Sequence, residues 1–251
     1  MKNRKGIDVR KLAIIGVLGG ISIVLGMTPL GFIPVGPTRA TIMHIPVIIG
    51  AIMEGPVVGG FVGLIFGLFS IFQAITNPTP ISFVFLNPLV SIVPRVLIGI
   101  LSYYVYNFLR SIGDKKTKGI LFIIWIGIIG YLLYGIYKNV VESSSIWLFL
   151  MNIALLILSL ILAYLSIFKY KNASLNLIVP SIVGTLTNTV GVLTTIYLLY
   201  AERFVEALEQ NADTARKVIV GIGVANGIPE TIIAIIIVSS VVNALKRTNR
   251  E

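Results

Sequence analysis

The sequence predicts an all-α protein that is embedded in a membrane. Of its 251 residues, 56% are hydrophobic and only 12% are charged, about half of the charged share of an ordinary soluble domain. The mean hydropathy is +0.97, and a soluble chain of this length could not bury so much apolar surface in one core. Apolar runs of about 20 residues, the length that crosses a bilayer, recur along the whole chain.

The composition excludes several classes of functional site. The chain has no cysteine, so disulfides, thiolate metal sites and cysteine nucleophiles are absent, and a single histidine cannot form a histidine-rich metal cluster. The net charge of +10 does not indicate nucleic-acid binding, because most of the Lys and Arg residues flank apolar segments, as membrane topology requires. We therefore expect no metal, no other cofactor and no nucleic acid among its partners.

Eight apolar segments are predicted as helices. They cover residues 11–30, 42–54, 57–76, 83–109, 119–137, 146–168, 175–200 and 218–245. The first lacks a signal-peptide cleavage site and is predicted to be a spanning helix. The second is short for a span, and we expect residues 38–41 to extend it. Gly55 and Pro56 then form a tight turn into the third segment.

The distribution of basic residues predicts the topology. If the N-terminus is cytoplasmic, the segments assigned to the inside hold fourteen Lys and Arg residues and the outer loops hold five. The positive-inside rule therefore places both termini in the cytoplasm, in agreement with an even number of about eight spans.

The fifth and sixth segments are predicted to be an addition to a six-helix core. They carry no charge at their centres, and their removal leaves the orientation of every other segment unchanged. We therefore expect a single membrane domain over 1–251, with core helices in about 10–110 and 175–247 and an inserted hairpin at about 117–170. The outer loop 201–217 has helical spacing of Phe204 and Leu208, which predicts a short interfacial helix.

Polar residues inside the apolar segments predict a binding site. Arg95 and Glu230 each lie beside a proline in a predicted span, and a charge at that depth usually faces a cavity, a partner or a ligand. A rise of 1.5 Å per residue puts Arg95, Asn188 and Glu230 about 18 Å below the outer ends of their helices. Asn87 and Asn226 lie above this layer. Arg95 and Glu230 could form a structural ion pair or bind a ligand, and both roles are compatible.

Two further features concern the surfaces of the bundle. The outer loops 31–41 and 76–82 are rich in proline and lie above the polar layer, where they could act as lids or as simple turns. In the first helix, Gly16 and Gly20 have the spacing that lets another helix approach closely. In the third, Gly63 and Gly67 could serve packing within the bundle.

Several motifs resemble those of substrate-binding S components of energy-coupling factor (ECF) vitamin transporters. The resemblance covers roughly residues 8–110 and 175–247. It is carried by the runs Met43-His44-Ile45-Pro46 with Gly55-Pro56, Phe85-Leu86-Asn87-Pro88 through Pro94-Arg95, Gly184-Thr185-Leu186-Thr187-Asn188-Thr189, and Asn226-Gly227-Ile228-Pro229-Glu230. The inserted hairpin departs from the six spans of that family.

The resemblance implies a multi-pass protein of a prokaryotic plasma membrane that binds a water-soluble vitamin near the outer face. Its implied partners are a transmembrane coupling subunit and two cytoplasmic ATPases. Arg95 would hold an acidic group, and Asn188, Asn226 and Glu230 would bind hydroxyls or amides. Asn87 and loop 31–41, which contains Arg39, would close the top. Ala13, Gly16 and Gly20 would dock on the coupling subunit. The motifs favour pantothenate, with riboflavin as the next choice.

Two other classes of function are weighed against this one. A self-sufficient secondary transporter would also use broken helices at the membrane midplane. An intramembrane enzyme would need a nucleophile and a base in reach of each other, and no such pair is apparent in the sequence. The chain has no P-loop of the form GxxxxGK[ST], so it does not hydrolyse ATP by that mechanism. We therefore predict a binding subunit that is not an enzyme.

Overall fold

The fold is helical, with one small β-hairpin, and a computed structural model describes residues 8–35, 38–141, 146–165 and 172–248. Within these ranges the helices are α1 (Val9–Met27), α2 (Ile45–Glu54), α3 (Pro56–Thr76), α4 (Pro88–Ser91), α5 (Val93–Ile112), α6 (Asp114–Val141), α7 (Ile146–Tyr164), α8 (Asn172–Glu206) and α9 (Ala215–Thr248). Short 3-10 helices occupy Pro29–Gly31, Ser82–Leu86 and Ala212–Thr214.

The helical class of a membrane protein is confirmed. Six helical stretches of the described chain are long and apolar enough to cross a membrane, namely Val9–Met27, Pro56–Thr76, Pro88–Ile112, Lys116–Val141, Asn176–Glu206 and Ala212–Thr248. Ile45–Glu54 and Asn152–Ile161 are shorter apolar helices. Each of the eight predicted segments therefore contains a helix.

The chain divides into two compact units. The first comprises residues 1–106 and 180–251, and the second comprises residues 107–179. Within the second unit, α6 and α7 pack on each other, and the Thr117 hydroxyl lies 3.4 Å from the Asn176 side-chain oxygen. The first unit contains every residue that is predicted to take part in binding or docking.

A row of glycines on α3 lets its backbone lie directly against that of α4 and α5. A Cβ added at Gly63 would fall 2.2 Å from the Arg95 carbonyl oxygen, and one at Gly67 would fall 2.7 Å from the Ser91 carbonyl oxygen. At Gly59 the same atom would lie 2.9 Å from the Gly99 Cα. At these positions α3 approaches α4 and α5 more closely than any residue larger than glycine allows. The packing against α3 therefore fixes the position of the backbone that carries Arg95.

Prolines break the helices near the predicted polar layer. The predicted segment 83–109 is divided at Asn87 and Ile92, because Pro88 begins α4 and Pro94 lies at the start of α5. Pro229 lies inside α9. The predicted interfacial helix at 201–217 is only partly present. Instead, α8 continues to Glu206 through a kink at Tyr200, where φ is −142° and ψ is 17°.

A hydrophobic cluster joins the kinked end of α8 to its neighbours in the first unit. Its buried members come from the Ser82–Leu86 helix, α4, α8 and α9, and they include Val84, Val90, Ile196, Phe204 and Ile219. This packing holds the α4 end of the broken segment against α8 and α9.

Residues 32–35 and 38–41 pair as the two strands of a β-hairpin. Strand β1 (Phe32–Val35) pairs antiparallel with β2 (Thr38–Thr41), with Phe32 opposite Thr41 and Val35 opposite Thr38. The prediction that residues 38–41 extend the second helix is therefore wrong. These residues find backbone partners in β1 instead, and α2 begins only at Ile45, with Pro46 in its first turn.

Candidate functional site

Helices α5, α8 and α9 meet at one level inside the first unit. A Cβ added at Gly191 of α8 would lie 3.0 Å from the Pro94 Cβ, and the Thr189 hydroxyl donates a 2.9 Å hydrogen bond to Glu230 of α9. Arg95 follows Pro94, and Asn188 precedes Thr189. The structure therefore brings Arg95, Asn188 and Glu230 into one layer, where they are only 5%, 5% and 3% exposed.

Arg95 is held by the broken segment that carries it. One terminal nitrogen (Nη1) donates to the Val90 carbonyl at the end of α4. The guanidinium carbon lies 5.4 Å from the centre of the Phe66 ring and 5.8 Å from that of Phe85, so two aromatic faces stabilise the cation. Its Nε is buried and has no hydrogen-bond partner within the described residues. The side chain is held in place while its Nε donor has no partner among the described residues.

Asn188 offers the complementary group. Its side-chain oxygen is buried and has no hydrogen-bond partner in the described part of the chain. A buried polar atom without a partner costs about 1–3 kcal/mol, so most such atoms in proteins are paired. A cationic donor and a neutral acceptor without partners, in one layer, can together hold an anion that also carries a hydroxyl or an amide N–H.

Glu230 does not form the ion pair with Arg95 that is one of the two roles predicted for these residues. One carboxylate oxygen accepts the backbone N–H of Thr41 at 2.7 Å, and the other accepts the Thr189 hydroxyl. Arg95 and Glu230 interact electrostatically, but none of the three guanidinium nitrogens lies within 4.0 Å of the carboxylate among the described residues. The structural ion pair is therefore not formed, and the Arg95 cation is left available.

The chain that follows the β-hairpin is tied to the helices around the layer. The Ser22 hydroxyl of α1 donates to the Met43 carbonyl at 3.2 Å, and the Nε2 of His44 lies 2.9 Å from the Thr185 hydroxyl of α8. His44 is completely buried. Together with the Thr41 contact to α9, these bonds connect residues 41–44 to three helices.

The other predicted binding residues are in different settings. Asn87 caps α4 through its side-chain oxygen, which accepts from the Leu89 N–H at 2.9 Å, and its amide donates to the Tyr200 hydroxyl at 3.0 Å. Asn226 lies one turn before Glu230 in α9, is half-buried and has an interaction partner of its own. Arg39 belongs to β2, opposite Pro34, and the structure describes its backbone only.

Several contributors to the site were missed from the sequence. Thr189 follows Asn188 in the run from Gly184 to Thr189, so the predicted role of Asn188 is the signal in the sequence that points to it. Phe66 and Phe85 flank the Arg95 cation, but one aromatic among many in apolar segments carries no signal of that role. The Thr41 contact uses a backbone N–H, which any residue except proline supplies.

The predicted docking face of α1 is open. Ala13 and Gly16 are exposed and Gly20 is half-buried, and a Cβ added at Gly16 or Gly20 would meet no atom within 4 Å. The opposite face of α1 packs inward, since a Cβ at Gly19 would fall 2.6 Å from Ile65 and one at Gly26 would fall 2.4 Å from Phe69. Among the described residues of the first unit, the inward face of α1 carries its packing contacts and the face of Ala13, Gly16 and Gly20 does not.

Comparison with known proteins gives two relatives that are both named as pantothenate transporters. The chain is 35% identical over 127 residues to the pantothenic acid transporter PanT of Lactococcus lactis subsp. cremoris, a match that covers 44% of this chain and 63% of the relative. It is 38% identical over 84 residues to the pantothenate transporter PanT of Leuconostoc mesenteroides, which covers 33% of this chain and 41% of the relative. The matched regions thus span less than two thirds of each relative.

A family model gives the broader assignment. The model described as "ECF transporter, substrate-specific component" matches residues 10–141 and 118–242, which together include nearly all of the described chain. The matched ranges contain the predicted docking face of α1, the β-hairpin and all three residues of the polar layer. The chain therefore belongs to the family of substrate-specific components of ECF transporters.

Proposed function

We propose that this protein is the substrate-binding subunit of an ECF-type transporter and captures pantothenate from outside the cell. The observation that carries the proposal is the Arg95 Nε, a buried donor on a cation that has no hydrogen-bond partner within the described chain. A carboxylate is the natural partner of such a donor. The names of the two relatives support the choice of vitamin.

The remaining groups of the layer suit the rest of that ligand. Pantothenate carries an amide and hydroxyl groups beside its carboxylate. The Asn188 oxygen accepts a hydrogen bond from the amide N–H or a hydroxyl, and Asn226 binds a second hydroxyl. Asn87 and the hairpin, with Arg39, close the outer end of the site. Glu230 belongs to the same layer, but its oxygens already accept two hydrogen bonds from the protein.

The chain acts with other subunits in this proposal. Both termini are cytoplasmic, the chain crosses the membrane about eight times, and α6 and α7 are an addition to a six-helix core in a prokaryotic plasma membrane. The open face at Ala13, Gly16 and Gly20 docks on a transmembrane coupling subunit. Two cytoplasmic ATPases supply the energy, since the sequence holds no P-loop of its own.

The identity of the ligand is tested by mass spectrometry of the small molecule that co-purifies with the protein. Isothermal titration of the emptied protein with pantothenate and with riboflavin follows. We expect pantothenate to be found and to bind at least about a hundredfold more tightly than riboflavin, which has no carboxylate for Arg95. Tighter binding of riboflavin would overturn the proposed ligand.

The dependence on partners is tested by uptake into vesicles. Labelled pantothenate should accumulate when the protein is reconstituted with a coupling subunit, two ATPases and ATP, and should not accumulate with the protein alone. Accumulation without the ATPases would show that the protein is a secondary transporter.

A further inference from the structure

The contact between Glu230 and Thr41 joins a helix of the polar layer to the β-hairpin. Glu230 lies in α9, and Thr41 is the last residue of β2. The carboxylate oxygen and the backbone nitrogen are 2.7 Å apart, which is short for an N–H···O bond and typical of one with a charged acceptor. The end of β2 therefore reaches down to the level of Arg95 and Asn188.

The pairing within the hairpin leaves this N–H available. The next residue, Ile42, donates its N–H across the base of the hairpin to the Gly31 carbonyl at 3.1 Å. Because successive N–H groups of an extended chain point to opposite sides, the Thr41 N–H points away from β1. Glu230 satisfies this outward donor of the strand.

The second bond of Glu230 fixes the carboxylate itself. The Thr189 hydroxyl of α8 donates to the other oxygen at 2.9 Å, and the same hydroxyl lies 3.3 Å from the Thr185 carbonyl in its own helix. Glu230 is only 3% exposed, so the side chain cannot swing into water. Its two hydrogen bonds connect α8 and α9 to the end of β2.

We propose that Glu230 is a positioning residue, which fastens the end of β2 to the polar layer through Thr41 and so sets how long a bound ligand stays. It acts on the ligand through the hairpin and needs no contact with it. Since Glu230 is engaged in this way, the nearby Arg95 is left to the carboxylate of the ligand. This inference rests on the proposed function for the ligand, but the Thr41 contact exists without one.

Two substitutions at Glu230 separate this role from that of a charge. In Glu230→Gln the side-chain oxygen still accepts from the Thr41 N–H, and the new amide donates to the Thr189 hydroxyl, which then donates to the Thr185 carbonyl. Glu230→Ala removes both bonds. Thr189→Val removes only the second bond, and serves if the alanine variant does not fold.

The first measurement uses the ligand-free protein in nanodiscs. Hydrogen–deuterium exchange of the peptide that contains Thr41 should be at least about tenfold faster in Glu230→Ala than in the unaltered protein, the factor expected for a lost hydrogen bond to a charged group. It should rise less in Glu230→Gln, which keeps a neutral acceptor for the same N–H, and in Thr189→Val, which keeps the bond to Thr41. Equal exchange in Glu230→Ala and the unaltered protein would overturn the proposal.

The second measurement is the dissociation rate of labelled pantothenate. Glu230→Ala should release the vitamin at least about tenfold faster, and Glu230→Gln should release it at a rate clearly closer to that of the unaltered protein than to that of Glu230→Ala. If Glu230→Gln is as defective as Glu230→Ala, the charge itself is required and the positioning role is wrong. If the unaltered protein binds no pantothenate, the proposed ligand fails, while the exchange measurement still decides the role of Glu230.

Discussion

Gly63 lies directly beneath the Arg95 carbonyl: a Cβ added at this glycine would fall 2.2 Å from that oxygen. The neighbouring atom is backbone, so it cannot rotate away as a side chain does. The position of the buried cation in α5 therefore depends on the absence of a side chain in α3. This relationship couples the packing of two helices to the geometry of the binding site.

Substitution of Gly63 by alanine should therefore damage both stability and binding. The added methyl group forces α3 and α5 apart, and overpacking of this kind costs about 1–3 kcal/mol. We expect a lower midpoint of thermal unfolding and a weaker affinity for pantothenate, because Arg95 moves with its backbone. Both are measured on the purified protein in detergent.

Gly60→Ala on the same helix is the matched control. A Cβ there would meet only Val96, at 3.9 Å, which is ordinary van der Waals contact. Since alanine favours a helix over glycine by about 0.5–1 kcal/mol, this variant should be as stable as the original or more so. Equal behaviour of the two variants would contradict the backbone contact.

Replacement of Asn188 by leucine should weaken binding without weakening the fold. The Asn188 oxygen lacks a partner in the described structure, so its removal relieves an unsatisfied buried group worth about 1–3 kcal/mol. We expect the ligand-free protein to unfold at the same temperature or a higher one, and its affinity for pantothenate to fall at least about tenfold.

The control for Asn188 is the neighbouring Thr187→Val. The Thr187 hydroxyl donates to the Val183 carbonyl within α8, so its loss should leave the affinity unchanged. A large loss of stability in Asn188→Leu with intact affinity would show that Asn188 serves the fold instead of the ligand.

Substitution of Gly20 by leucine should separate binding from transport. The α1 face at Gly20 is open in the described structure, so a larger side chain there leaves the polar layer untouched. We expect normal affinity for pantothenate in titration, but loss of co-purification with the coupling subunit and of uptake. The control is Gly127→Leu in α6, where a Cβ also meets nothing within 4 Å. This variant should still co-purify with the coupling subunit and support uptake. Normal uptake by Gly20→Leu would place the docking face elsewhere.

The helices could be predicted from the sequence because their apolar runs are long. The last helix is predicted at 218–245 and observed at Ala215–Thr248, a difference of three residues at each end. The hairpin could not be predicted in the same way. Residues 38–41 contain two β-branched threonines, which suit a strand, but only pairing with residues 32–35 decides between strand and helix.

The sequence predicts only those residues of the site whose charged or polar side chains are costly to bury in a membrane. Arg95 and Glu230 are conspicuous because charges inside apolar segments are expensive. Their actual partners were not predictable: the Val90 carbonyl meets Arg95 because the helix breaks at Ile92, and the Thr41 N–H meets Glu230 because the hairpin reaches into the layer. Backbone groups carry no residue-specific signal, so such contacts appear only in three dimensions.

The most direct test of the central claim is a binding cycle between Arg95 and the carboxylate of the ligand. Pantothenate and its alcohol analogue, in which a hydroxymethyl group replaces the carboxylate, are titrated into the original protein and into Arg95→Met. Methionine keeps much of the side-chain volume, and Glu230 keeps its own hydrogen bonds to Thr41 and Thr189, so the variant should fold.

We predict that the original protein prefers pantothenate over the alcohol by at least about tenfold, and that Arg95→Met binds both equally and weakly. The preference would then belong to the contact between the guanidinium and the carboxylate. An undiminished preference for pantothenate in Arg95→Met would contradict the account.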